Sequence, residues 1–266
     1  MLDIEKLKQK LQDAKERNRG GTSEFKFWTP QDGRNVIRIL PPKPGTSDFY
    51  SEARVRYNVG PNKKMVTVNP DSNARCPIKE FVDALYKSGD KQDEALAKKM
   101  KATTRYYFNV VDKTLEEGDE NYGEVMVFGC GTTIFTDILG IIVDPDYGDI
   151  TEPKNGYDII INKSGKGLDT EYKTNPRPKQ TPIGIDDWEQ KMVDLSIFAK
   201  PKTNEELEAI LMGEEDKLEK TKEQNKPVNK KIDDDIPIKT DDDDDDDDDD
   251  DIEAEIAKVL KNRNKK

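Results

Sequence analysis

The sequence predicts a mainly β chain with inserted helices, of the α+β kind, built on a small β-barrel and not on an α/β sheet. Three observations lead there. Short strand-like runs recur between residues 25 and 174, two helical blocks are set among them, and no strand–helix–strand period repeats.

Taken in order, residues 2–17 carry Leu2, Ile4, Leu7, Leu11 and Ala14 at a 3–4 spacing, which predicts a short amphipathic helix. It ends in a basic, flexible joint of Lys15, Arg17, Arg19, Gly20, Gly21, Thr22 and Ser23. Phe25 and Phe27, the turn Thr29-Pro30-Gln31-Asp32-Gly33, then Val36, Ile37, Ile39 and Leu40 read as two strands meeting at a tight turn. Further strands are expected at 53–59, 64–68, 104–112, 123–128, 157–162 and 169–174. The apolar run 132–143 fits a helix or a strand, and Gly140 does not decide between them. Pro77 suits the first turn of a helix over 78–88, with Phe81, Val82 and Leu85 inward and Gly89 as its stop. Leu96, Ala97 and Met100 place a second helix over 91–102, and further helices are expected after Trp188 and over 203–212. From about 213 to 251 the chain is rich in Lys, Glu and Asp, the composition of a disordered segment. Ile252, Ile256, Val259 and Leu260 then share one helical face ahead of Lys261, Arg263, Lys265 and Lys266; a partner-binding helix and a frayed end fit equally.

Charge is distributed unevenly. The 266 residues are 33% hydrophobic and 38% charged, which leaves room for one domain of roughly 170–200 residues with unburied flanks. Residues 1–22 hold six cations against four acids and 23–110 hold sixteen against ten, so 1–110 carries about +8. Residues 232–251 hold fourteen aspartates against one lysine, −13, within a chain of net charge −12. Eleven of those aspartates, Asp241 to Asp251, are consecutive. Nothing repays crowding so many carboxylates, so the tract does not pack. It reads as a solvated tail or as an internal mimic of a polyanion that competes for the basic half of its own chain.

Several function classes lose ground. No stretch approaches the ~20 apolar residues that span a bilayer, and the charged N-terminus lacks the apolar core of a signal peptide, so no membrane is expected as a partner. Two cysteines, Cys76 and Cys130, make no disulfide framework and fit a reducing cytoplasm. The absence of histidine removes the commonest general base and metal ligand. Asp144, Asp146 and Asp149 lack the later bidentate glutamate of a calcium loop and read as an acidic turn. Gly129, Gly131, Gly165 and Gly167 form no phosphate loop. No catalytic set can be named, and no enzyme is expected.

What remains is aromatics interleaved with cations inside strand-like runs. Phe25, Lys26, Phe27 and Trp28 make one; Arg54, Arg56 and Tyr57 another; Arg105, Tyr106, Tyr107, Phe108 and Asn109 a third; Tyr172, Lys173, Arg177 and Lys179 a fourth. Alternation lets Arg54 share a face with Arg56, Tyr106 with Phe108, and Arg105 with Tyr107. Single-stranded nucleic acid needs this pairing, rings for the bases and cations for the phosphates. The plainer reading is barrel core with a solvated basic face. The expected stacking residues are Trp28, Tyr57, Tyr106, Tyr107 and Tyr172. The expected phosphate contacts are Arg38, Arg54, Arg56, Lys63, Lys64, Arg105, Arg177 and Lys179.

The blocks FKFWTPQDGRNVIRILPP (25–42), RCPIKEFVDALYKSGD (75–90), RYYFNVVDK (105–113), DPDYGDITEPKNGYDIIINKSGKG (144–167) and TEYKTNPRP (170–178) resemble the single-stranded-DNA-binding proteins of T-even-type bacteriophages. The resemblance spans about 24–200 and implies an OB-fold core. It also implies an N-terminal arm for cooperative contacts between neighbouring copies, and an acidic tail that recruits replication and recombination proteins. The arm's basic trio followed by Ser/Thr is matched loosely by Lys15, Arg17 and Arg19 with Thr22 and Ser23. One departure concerns the structural zinc common in that family. Lys79 stands where the resemblance implies a second cysteine after Cys76-Pro77-Ile78, and Tyr57 where it implies a histidine. One thiolate makes no tetrahedral zinc site, so no metal or other cofactor is expected. Apolar packing of Ile78, Phe81, Val82 and Leu85 is expected to hold that region instead.

The sequence thus divides into an arm (1–23), a single-strand-binding core (24–200), a helix with an acidic linker and tail (201–251) and a short basic helix (252–266). Its expected function is to coat and protect unwound DNA in viral replication, recombination and repair, in the cytoplasm of an infected bacterial cell. The alternatives are an acidic interaction or chaperone-type protein working through its Asp tract, and a non-specific RNA-binding module, since RNA is told from DNA by 2′-hydroxyl contacts.

Overall fold

The computed structural model describes residues 25–214; the arm, the Asp tract and the segment 252–266 lie outside the described residues. Eight strands are present: β1 (Phe27–Trp28), β2 (Gly33–Ile39), β3 (Tyr50–Val59), β4 (Lys64–Val68), β5 (Ala102–Asp112), β6 (Met126–Cys130), β7 (Gly156–Ser164) and β8 (Glu171–Thr181). Helices α1 (Pro77–Ser88) and α2 (Lys91–Lys99) lie between β4 and β5, α3 (Thr132–Val143) follows β6, and α4 (Trp188–Lys191), α5 (Ser196–Ala199) and α6 (Asn204–Met212) follow β8.

The strands form one mixed sheet in the order β1-β6-β5-β2-β7-β8, with β3 on β5 and β4 on β3. Among the described residues β1, β4 and β8 each pair along a single edge, so the sheet is open. The closed barrel expected from the sequence is not formed by its ladders. The long strand β5 explains the shape. Along one edge it pairs with β6, and along the other it pairs with β3 over Ala102–Phe108 and then with β2 over Val110–Asp112. Helix α3 packs on β5 and β8 and covers apolar surface that a closing strand would otherwise cover. The two strands expected to meet around Pro30 diverge instead: β1 runs parallel to β6, while β2 lies between β5 and β7.

Four buried clusters hold the layers. On one face of the sheet Ile37, Ile39, Phe108, Phe128, Ile159 and Ile161 meet Ile134, Phe135 and Ile138 of α3, so the ambiguous run 132–143 is a helix. On the other face of β3, β5 and β6, Val55, Tyr107 and Val127 pack under Leu195 and Phe198. Beside them Leu40, Val111 and Val125 pack under Ile183 and Met192. The segment 183–198 therefore forms a second layer.

The fourth cluster is helical. Pro77 opens α1, and Gly89, at φ 73°, closes it in the left-handed region where glycine is favoured. Ile78, Phe81, Val82 and Leu85 fall at i, i+3, i+4 and i+7 and are buried against Val59, Val66, Leu96 and Met100, as expected. Helix α6 joins this cluster through Leu207, Ile210 and Leu211. Its start is a capping box, in which the Thr203 hydroxyl accepts from the Glu206 N–H and the Glu206 carboxylate accepts from the Thr203 N–H. Gly60 admits the close contact: at φ 72°, a Cβ there would sit 2.1 Å from the Ile210 carbonyl oxygen.

Candidate nucleic-acid interface

Alternation along β5 holds as expected, but both faces are covered. Arg105 to Val111 are buried without a break. Tyr106 and Phe108 turn toward α3, and Tyr107 turns toward α5. The Tyr106 ring stacks on Phe135 at 3.6 Å, and the Tyr107 ring on Phe198 at 4.6 Å. Burial pushes both phenols above their ordinary value.

Six of the thirteen expected contacts are therefore core residues. Besides Tyr106 and Tyr107, Trp28 is buried edge-on to Phe128, and its indole N–H donates to the Asp112 carboxylate at 2.7 Å. Arg38 is fully buried; its Nε donates to Asp158 Oδ1 at 2.9 Å, and its Nη2 donates to the Gly156 and Thr181 carbonyls. Arg56 is buried and donates to the Met100 carbonyl at 2.7 Å. Burial, then the neighbouring Arg54 charge, push its guanidinium below its ordinary value, opposed by Cys76, Asp83 and Tyr86. Arg105 is buried and donates to the Gly129 carbonyl at 2.7 Å. The common cause is a second layer on each face of the sheet.

The other seven reach solvent to different degrees. Arg54 is half-buried and donates to the Thr104 hydroxyl at 3.0 Å. Tyr57 is half-buried against the Tyr107 cluster, and Tyr172 against the Phe108 cluster. Lys63 is exposed in the β3–β4 turn at φ 48°, and Lys64, half-buried, opens β4. Arg177 is half-buried and Lys179 exposed on the edge strand β8. Lys15, Arg17 and Arg19 lie outside the described residues.

The ladder registers sort these groups into two surfaces. On one face of β3 and β5, Tyr50 pairs with Phe108, Glu52 with Tyr106, Arg54 with Thr104 and Arg56 with Ala102. Half-buried Tyr50 lies 4.9 Å from the Phe135 ring, and along the same strand face exposed Glu52 separates it from half-buried Arg54. The second surface crosses three strands: Arg34 pairs with Asn162, which pairs with Lys173, and the next row is Val36, Ile160 and Asn175. Arg34 and Lys173 are exposed, and Arg177 and Lys179 continue the stripe. Sequence reasoning missed Arg34 and Tyr50. The signal for Arg34 was the two-residue period Arg34, Val36, Arg38, which puts all three on one face.

The zinc expectation turns on Cys76, Lys79 and Tyr57. Cys76 heads α1, while Lys79 is exposed and donates to the Ser72 carbonyl at 2.9 Å. An ammonium at a ligand position repels a dication, and Tyr57 is packed among apolar groups. Among the described residues no three His, Cys, Asp or Glu side chains are grouped to hold a metal ion, and no helix is long and apolar enough to cross a membrane.

A basic, aromatic-edged sheet defines a candidate polyanion-binding protein. A family model described as gp32 DNA binding protein like matches residues 31–220. The chain belongs to that family, which is one of DNA-binding proteins and not of enzymes. No curated protein matches the chain.

Proposed function

We propose that this chain binds single-stranded DNA and coats it, protecting unwound strands during viral replication, recombination and repair in the infected bacterial cell. The observation that carries the reading is the face of β3, where half-buried Tyr50 and half-buried Arg54 stand on either side of Glu52, in a chain of a DNA-binding family. Rings supply sequence-tolerant stacking and the cation follows the phosphates. Lys63, Lys64, Lys173, Arg177 and Lys179 extend the cationic path. Tyr57 and Tyr172 add half-exposed ring edges. A strand that divides one edge between two neighbours, as β5 does, lets a sheet bend toward an OB-type barrel, which supports the finer fold reading.

In this account residues 1–23, with Lys15, Arg17 and Arg19, link neighbouring copies on the strand. The acidic tail recruits replication and recombination proteins; deleting 232–266 should then abolish the chain's stimulation of strand exchange and leave its single-strand binding in place. The fold works without zinc. The test of the central reading is an anisotropy titration of labelled oligo-dT and of a duplex of equal length. Preference for oligo-dT is expected, and Arg54→Ala should lose about tenfold, ~1.4 kcal/mol, for a charge-assisted phosphate contact. Equal affinity for the duplex rejects the reading.

A further inference from the structure

Asp158 is 2% exposed and has two arginine partners of unequal standing. Arg38, with no exposed surface, directs Nε at 2.9 Å and Nη2 at 2.8 Å to Oδ1. Its Nη2 also donates to the Thr181 carbonyl at 2.7 Å, so it cannot leave without breaking the β2–β7–β8 packing. Arg177 makes one long contact, Nη1 to Oδ2 at 3.4 Å, and 42% of its side chain is exposed. The backbone displays it as well. Ile159 pairs with Pro176 and Tyr157 with Gln180, so β8 carries two residues more than β7 across this stretch. That bulge holds Arg177, Pro178 and Lys179 on an edge strand, and bulges re-aim side chains away from the ladder. Lys113 adds a third cation. It is half-buried, donates to the Ile183 carbonyl, and is pushed below its ordinary value first by burial, with Asp158 opposing and Arg38 reinforcing the shift. Three cations thus surround one buried carboxylate, and only Arg177 reaches outward, beside Lys179 and along the face that bears Arg34 and Lys173.

We propose that Arg177 is a phosphate-binding residue held in reserve by Asp158: a strand phosphate draws it off the shared carboxylate, and Arg38, with Lys113 nearby, keeps Asp158 neutralised. Asp158 orients the guanidinium in the free protein and limits its attraction for stray small anions. This deepens the single-strand reading and rests on it.

The test is oligo-dT affinity of the full chain across a salt series, with urea unfolding alongside. Arg177→Ala should weaken binding at low salt and make the slope of log affinity against log salt shallower by about 0.7, the share of one phosphate on a single strand. Arg177→Lys should restore most of the slope, and the urea midpoint should stay near that of the parent, since Arg38 remains on Asp158. Should the alanine variant unfold, Arg177→Gln reads the same slope. An unchanged slope with a lowered urea midpoint overturns the proposal and makes Arg177 a structural partner only. Weakened binding of a poly-aspartate peptide with unchanged oligo-dT binding also overturns it. If Arg54→Ala loses affinity while Arg177→Ala does not, this inference fails and the single-strand reading stands; a parent chain that ignores oligo-dT removes both.

Discussion

Arg38 and Arg54 lie on strands that look alike in sequence, yet they have opposite fates. Arg38 has no exposed surface and is spent on Asp158, where losing one partner of a buried pair costs ~3–5 kcal/mol. Arg54 is half-buried and donates to the Thr104 hydroxyl. Tyr107 is almost fully buried in its cluster, and this gives a pH signature. Its folded-state pKa lies above the ordinary phenol value, because burial disfavours the phenolate. Stability from the buried neutral phenol is fully present below about pH 10 and is lost as pH rises beyond it, because the unfolded chain ionises first. Tyr107→Phe should therefore flatten the loss of stability between about pH 9 and 11, measured as the urea midpoint. An identical alkaline fall in the variant would place the phenol in solvent. Lys113, shifted downward, acts with the opposite sign in the same range and softens the effect in both proteins.

At the scale of elements, the strand β5 explains why the site was harder to read than the fold. In its run from Arg105 to Val111 one face takes Arg105, Tyr107 and Asn109 and the other takes Tyr106, Phe108 and Val110, which by period alone predicts one wet face. The face of Tyr107 is roofed by Leu195 and Phe198, some ninety residues later in the chain, and no local pattern encodes that arrival. Helix α1 was legible because its signals are local: proline at the start, glycine at the stop and a four-residue apolar stripe. We propose that this apolar packing holds this part of the molecule without a metal. A chelator should leave the melting temperature unshifted, because no metal-binding free energy is coupled to folding; stoichiometric zinc by elemental analysis would make Cys76 a ligand after all. Removing the arm, residues 1–23, should abolish cooperative coating of long strands and spare binding to an oligonucleotide that holds one copy. Equal losses on both would put the arm inside the DNA site.

Across the whole molecule charge is uneven: in a chain of net charge −12, residues 1–110 carry about +8 and residues 232–251 carry −13. The last described element, α6, ends at Met212 against the β3–β4 turn, with Gly213 packed on Pro61 close to Lys63. Deleting 232–266 should tighten single-strand binding, most at low salt where screening is weakest. Affinity that does not change near about 50 mM salt would remove the competition idea. The central claim is preference for the unpaired strand, and a ligand of the melted state alone lowers the melting temperature of a duplex by mass action. The most direct measurement is ultraviolet melting of an AT-rich duplex with the tail-deleted chain at saturating ratio and low salt. A fall in the duplex melting temperature that grows with protein concentration is the expected result; an unchanged or raised melting temperature contradicts the account.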